Sequence, residues 1–333
     1  MMSMKFIRSG LLLFLMLVSP CVGAEEIVRV GTFNKDALNV IAEARGFLKK
    51  ENLKTEINLV NNSIDLMRNL KTGKYDLIHT NADNVIAWTE GQGEDPKPHD
   101  FVIFMGGNQG VGQILVAAEG IQSIGDLKGK VLAVDDPRTG YSSVLVYMLK
   151  KHGLSLNKDF TLKAFGNTKS RADAVTRGEA AGALMNLPQE EIKKRKFNVM
   201  GRSEDYVPVY ARGVGATRRD WANKNEALLV RYIKAMIATT DWILDPKNRE
   251  EALQLLLPAN ENSKLGAERM YADAVNAKLG YIPGSRIDKA GITTVIELRE
   301  AMGFLKPPLP SPLKYVDERF YQKAVALPGD VIH

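Results

Sequence analysis

The chain is predicted to fold as an α/β protein of two lobes, each a mostly parallel sheet flanked by helices, with a cleft lined from both sides. Three observations predict it. First, two passages share one plan: residues 70–84 read LKTGKYDLIHTNADN and residues 175–189 read VTRGEAAGALMNLPQ. Each is a helix end, a Gly, a short apolar strand and a polar loop, opening on Thr80-Asn81 or Met185-Asn186. Second, apolar strands alternate with helical patterns along the chain, which argues for parallel pairing in each lobe. Third, the length of 333 residues suits two lobes rather than one core. Ligands of open α/β sheets sit outside the carboxyl ends of the strands, so two repeated strand-end loops point to a shared cleft.

The elements follow in order. Residues 27–30 are a short apolar strand, and 32–36 a polar loop. Ala37, Leu38, Ile41, Ala42 and Leu48 recur at helical spacing, with Gly46 near the helix end. Residues 53–60 alternate like a strand, 64–70 are helical and stopped by Gly73, and 75–79 form the strand of the first repeat. Residues 101–105 are an apolar strand ending at Gly106-Gly107, and 114–117 and 131–134 are further strands. Val144, Leu145, Met148 and Leu149 mark a helix after the loop DDPRTGYSS. Residues 225–244 form a long amphipathic helix with Leu228, Leu229, Tyr232, Ile233, Met236 and Ile237 on one face. The C-terminal part is helical and rich in turns, and Pro307, Pro308 and Pro310 are expected to end its ordered structure.

Residues 1–24 have the shape of a secretory leader. Lys5 and Arg8 charge its start, LLLFLMLV over 11–18 is apolar, and Val22-Gly23-Ala24 offers small residues for cleavage. The apolar run is too short to span a bilayer, which takes about 20 residues. Cys21 is the only cysteine; Pro20 before it fits a lipoprotein signal poorly, so cleavage near Ala24 is expected and leaves a mature chain without thiol or disulfide. Removing Lys5 and Arg8 takes the 45 basic residues to 43 against 39 acidic ones, a mild positive balance. The basic residues are scattered among acids, which describes a solvated surface and excludes a nucleic-acid face.

Several segments resemble a known family. The run VRVGTFNKDALNVIAEARGFLKKENLKTEI, with Gly46-Phe47 at its helix end, is similar to the opening of bacterial solute-binding proteins of the nitrate, sulfonate, taurine and thiamine-precursor type. GIQSIGDLKGKVLAVDDPRTGYSS resembles the family's passage into its second lobe, and residues 214–243 resemble its return through a strand to a long helix. The sequence departs from the pattern at Ala181, where the family has an acid; the matching position of the first repeat is Asp76. The resemblance implies a two-lobe periplasmic binding fold of type II, with residues 25–108 and 213–333 in one lobe, 109–212 in the other, and two crossovers near 106–112 and 207–213. It implies a monomer in the periplasm that captures a small-molecule solute for an ABC permease in the inner membrane, without cofactor or metal.

The strongest local candidate for holding a ligand is residues 135–143. The loop follows an apolar strand and opens a helix, so free N–H groups and the helix dipole favour an anion there. Gly140 allows the bend, Thr139 and Ser142 add hydroxyls, Arg138 can pair bidentately with a carboxylate or sulfonate, and Tyr141 can stack on a ring. The plain alternative is N-capping by Thr139 or Ser142. Phe33 and Asn34 follow the first strand and are expected to reach the cleft. Asn81 with Asp83, and Asn186, are the opposed strand-end loops; Asn both donates and accepts, so it orients a polar ligand without burying charge. Gln109 and Asn167 complete the set. Asp135 and Asp136 complicate a pure anion pocket: one can pair with Arg138 or hold an ammonium.

Enzyme chemistry finds little support. The four histidines show no metal-ligand spacing, no Gly-x-Ser-x-Gly elbow is present, and the Gly125 to Lys130 segment precedes a strand where a phosphate loop follows one. The expected function is therefore solute capture, with a small organic anion or zwitterion ahead of nitrate. A receptor for a neutral pyrimidine vitamin precursor, an exported enzyme on the same fold and a sensory subunit serving a membrane kinase are the alternatives.

Overall fold

Ten strands form among the residues described, 25–326 of the computed structural model, and they divide into two sheets of five. The expected leader, its cleavage point and Cys21 lie outside the described residues. The first sheet contains β1 (Glu26–Thr32), β2 (Leu53–Leu59), β3 (Leu77–Thr80) and β4 (Phe101–Met105). The second contains β5 (Ile114–Ala117), β6 (Lys130–Val134), β7 (Phe160–Ala164), β8 (Gly182–Met185) and β9 (Asn198–Arg202). β10 (Val214–Arg218) returns to the first. The orders are β2-β1-β3-β10-β4 and β7-β6-β8-β5-β9.

The two sheets obey one rule. β1, β2 and β3 are parallel, as are β6, β7 and β8, while β10 and β5 run antiparallel to both of their neighbours. In each sheet the single reversed strand is the one that arrives from the other sheet. The parallel strands end at the cleft, so a chain arriving across the cleft must start at that end and run away from it. The sheets are thus mostly parallel, as expected, with one reversed strand in each, and the crossovers are the reason for it.

The repeat seen in the sequence is the structural unit of both halves. Helix Ser63–Lys71 ends before Gly73 (φ +77°), and β3 leads to Asn81 and helix Ala82–Thr89. Helix Thr168–Thr176 ends before Gly178 (φ +74°), and β8 leads to Asn186 and helix Gln189–Lys194. Gly supplies the left-handed turn that closes a helix at no steric cost. β3, β4 and β8 are buried along their whole length, as expected of strands covered on both faces.

The departure at Ala181 also has its explanation here. Asp76 pairs with Arg29 through Nη2 at 2.6 Å and Nε at 3.0 Å, and its N–H donates to the Arg29 carbonyl. In the second sheet the N–H of Ala181 donates to the Val131 carbonyl in the same way. Both members of the ion pair are replaced together by apolar residues, at the end of the sheet away from the cleft.

The long helix Glu226–Leu244 buries Leu229, Tyr232, Ile233 and Met236 against helices Ala37–Ala44 and Glu318–Ala326. Helix Lys289–Ala301 packs on Ala82–Thr89 from the first half and on Gly140–Lys150 from the second, tying both together behind the cleft. Order does not end at Pro310. Val316 bridges to Ile103 of the edge strand β4, Ile103 and Asp317 donate N–H groups to Tyr315 and Ile103 carbonyls, and Phe320 is fully buried. An exposed sheet edge is unpaired hydrogen-bonding surface, and this segment covers it. Among the described residues, no helix is long and apolar enough to cross a membrane.

Candidate functional site

The strand ends of the two sheets enclose a cleft of two connected chambers, about 520 Å³ and about 340 Å³. Phe33, Asn81, Gln113 and Tyr141 line both and form the passage between them. Phe33 and Asn81 come from the first half, Tyr141 from the second and Gln113 from the end of the first crossover. The two crossovers run side by side: Gln109 pairs with Ala211, Gly110 donates to the Tyr210 carbonyl and Arg212 to that of Asn108. Their closeness requires Gly107, where a Cβ would lie 2.0 Å from the Gly213 carbonyl oxygen.

The larger chamber brings together Asn34 and Asn186, with Asn108 and the Arg212 guanidinium. Arg212 donates through Nη2 to the Leu279 carbonyl at 2.7 Å, which holds one end of the guanidinium. Asp273 lies on the same wall, its carboxyl pushed up by burial against the pull of Arg212. Arg269 reaches Glu190 of the opposite half at 3.3 Å, an exposed ion pair across the mouth. His79 is buried at the base with Nε2 2.9 Å from the Tyr232 hydroxyl; burial lowers its pKa, so the ring is neutral at neutral pH. That is a satisfied core histidine whose edge lines the chamber.

The smaller chamber is built from two helix starts. Thr139 caps helix Gly140–Lys150, its hydroxyl donating to Asp135 Oδ1 at 2.7 Å while accepting from the Ser142 N–H. Asn167 caps helix Thr168–Thr176 through the Ser170 N–H. Arg171 lies inside that helix, buried, donating to the Gly166 carbonyl at 3.0 Å and to Thr168 Oγ1. Burial pushes the Asp135 carboxyl up, partly offset by the Thr139 hydroxyl and by Arg171; burial likewise pulls Arg171 down, offset by Asp135.

The structure gathers nine of the expected residues along this cleft: Phe33, Asn34, Asn81, Asp83, Thr139, Gly140, Tyr141, Asn167 and Asn186. Three stand elsewhere. Gln109 belongs to the paired crossovers and its side chain donates to the Ala277 carbonyl at 2.9 Å. Arg138 points its guanidinium at Asp136, with Nε 3.0 Å from Oδ1, on the exposed rim. Ser142 is fully buried and donates to the Asp136 carbonyl, so capping claims it. Asp83 touches the chamber wall, yet its carboxylate is 2.5 Å from Arg299 Nη1 with both side chains buried, so its charge is already matched. Gly140 packs directly on that pair: a Cβ there would lie 2.4 Å from the Tyr210 hydroxyl and 2.8 Å from Asp83 Cβ.

Gln113, Arg171 and Arg212 were missed from the sequence. Gln113 and Arg212 sit in crossovers without local pattern. Arg171 did leave a signal: it shares the buried face of its helix with Ala174 and Val175, where a charge is out of place. Among the described residues no cluster of His, Cys, Asp and Glu could hold a metal ion.

Residues 36–249 match the family described as NMT1/THI5 like. Among curated proteins, the chain is 26% identical over 213 residues to "Putative binding protein YtlA" of Bacillus subtilis (strain 168); the match covers 61% of this chain and spans 61% of that relative's length. Two solved structures have the same fold. The periplasmic nitrate-binding protein NrtA from Synechocystis PCC 6803 superposes with a TM-score of 0.70 at 14% identity, over 90% of this chain and 88% of that one. The alkanesulfonate-binding protein SsuA from Xanthomonas axonopodis pv. citri, bound to MOPS, superposes with a TM-score of 0.65 at 16% identity, over 86% of this chain and 97% of that one. The architecture is that of a two-lobe periplasmic binding protein.

Proposed function

The chain belongs to the NMT1/THI5-like family, and from that premise we propose that it is the extracytoplasmic solute-binding component of an ABC importer. It captures a small organic anion or zwitterion between its lobes, a taurine-like sulfonate or an aromatic carboxylate, and delivers it to a membrane permease. The lobes divide at the crossovers, with residues 25–108 and 213–333 on one side and 109–212 on the other.

One observation carries this reading: a polar cleft whose passage is shared by Phe33 and Asn81 from one half and Gln113 and Tyr141 from the rest. A ligand seated there touches both halves at once, so binding energy is gained only when they close together, and the closed state is selected by its ligand. The chemistry of the walls favours binding over turnover. Two of the buried titratable groups lie in structural bonds, His79 to Tyr232 and Asp83 to Arg299, which leaves neither free to move a proton. That relatives such as SsuA and NrtA carry the names of binding proteins supports the same reading.

The test is to purify the exported protein, release any carried solute by denaturation, and identify it by mass spectrometry. The refolded protein is then melted with that solute and with a panel of sulfonates, carboxylates and amino acids. A true ligand at a hundredfold excess over Kd adds about 2.7 kcal/mol of apparent stability, or roughly 5 °C for a chain of this size. The ligand should be recovered unchanged after prolonged incubation. Chemical alteration of it, or no stabilisation by any compound together with no carried solute, would overturn the receptor reading.

A further inference from the structure

We infer that the smaller chamber is a zwitterion subsite, in which Arg171 takes the acidic group of the solute and Asp135 its ammonium. This assignment rests on the receptor reading above and narrows its ligand to a compound carrying both an amino and an acidic group.

The argument is one of charge accounting. The chamber contains three acids, Asp83, Asp135 and Asp136, and one base, Arg171. Asp83 is matched by Arg299 and Asp136 by Arg138. Asp135 and Arg171 remain, and neither has a counter-ion within 4.0 Å among the described residues. Arg171 is only 5% exposed, and its Nε has no hydrogen-bond partner within the protein although its two terminal nitrogens do. A buried charge without a counter-ion is costly in a protein interior, so such a group at a cavity wall marks a place where something else neutralises it.

A simple anion would satisfy Arg171 and lie near the unneutralised Asp135. A simple cation would do the reverse. A zwitterion satisfies both at once and leaves the chamber neutral, which is the condition for burying charge at low cost. The surroundings agree with that orientation. Gly140, Tyr141 and Thr168 line the chamber from the first turns of two helices, whose positive ends favour an acidic group. The rest of the solute then passes between Phe33 and Tyr141 into the larger chamber.

The experiment is isothermal titration of the exported, processed protein, stripped of solute, with taurine, β-alanine and glycine, and with ethanesulfonate, propionate, acetate and ethylamine. At least one zwitterion should bind tenfold or more tightly than its acid-only and amine-only counterparts. Asp135→Asn should weaken that zwitterion tenfold or more and leave the matching acid unchanged or tighter. Arg171→Lys keeps the charge but loses the planar guanidinium; it should weaken zwitterion and acid alike, and serves as the second test if Asp135→Asn does not fold by circular dichroism. Equal binding of acid and zwitterion, with Asp135→Asn without effect, would overturn the subsite while leaving an anion receptor in place. Binding of none of these probes would also overturn it; a carried solute found on denaturation would then keep the receptor reading alive, and its absence would remove both.

Discussion

Replacing Arg299 with Met should destabilise this protein severely, and the structure gives the size of the effect. The Arg299 side chain is fully buried, its Nη1 lies 2.5 Å from Asp83 Oδ1, its Nη2 donates to Gln92, and its guanidinium sits 5.0 Å from the centre of the Phe304 ring. Removing it leaves the Asp83 carboxylate buried and unmatched. Breaking a buried pair from one side costs about 3–5 kcal/mol, whereas replacing both partners with apolar groups of similar volume is often close to neutral. For a chain of this size each kcal/mol moves the melting temperature by roughly 2 °C. Arg299→Met should therefore lower Tm by about 6–10 °C, and Asp83→Leu combined with Arg299→Met should recover most of the loss. The residual deficit should be about 1 kcal/mol, because Gln92 still lacks its partner. The assay is thermal unfolding by circular dichroism on solute-free protein, since a bound ligand would mask part of the change. Two results would refute the reasoning: a single variant within 1 kcal/mol of the parent, or a double variant no more stable than Arg299→Met.

Three further predictions follow from the cleft. Asn81→Ala and Asn186→Ala should each weaken solute binding by about 0.5–1.5 kcal/mol, one neutral hydrogen bond, while Tm in the absence of solute moves little; Asn81 makes no side-chain cap bond to its helix, so folding does not depend on it. Calorimetry showing unchanged affinity in both would remove these loops from the site. Gly140→Ala should cost about 1–3 kcal/mol of stability through overpacking, since the new methyl would collide with the Tyr210 hydroxyl and Asp83; a melt identical to the parent's would show that the two halves are not in contact there. Finally, zwitterion affinity should fall as pH is lowered through the Asp135 pKa. Burial raises that pKa above the ordinary aspartate value, and only the ionised form attracts an ammonium. The loss should thus begin at a higher pH than an exposed aspartate would give, and Asp135→Asn should abolish the dependence.

The periodic part of the architecture was written in local sequence. A strand, a polar loop and a helix each leave a pattern within a dozen residues, and Gly73 and Gly178 mark helix ends because only glycine enters the left-handed turn cheaply. The opposed loops at Asn81 and Asn186 followed from that repeat, and so did the helix start at Thr139 and Gly140. The same local signals misled at Ser142, whose hydroxyl serves its own helix cap, and at Arg138, which folds back two residues to Asp136. Proline at 307, 308 and 310 read as an end of order because sequence does not show that β4 is an edge strand awaiting cover.

What the sequence by itself determined was which segments are strands and helices and which of their ends carry polar loops, because these depend on neighbours a few residues apart. Only the tertiary structure decided which charges remain available to a ligand. Asp83 is matched by Arg299, 216 residues away, whereas Asp135 and Arg171 meet in one chamber without matching each other. Electrostatic availability depends on distances in space and on exclusion of water, and neither quantity is local in the chain.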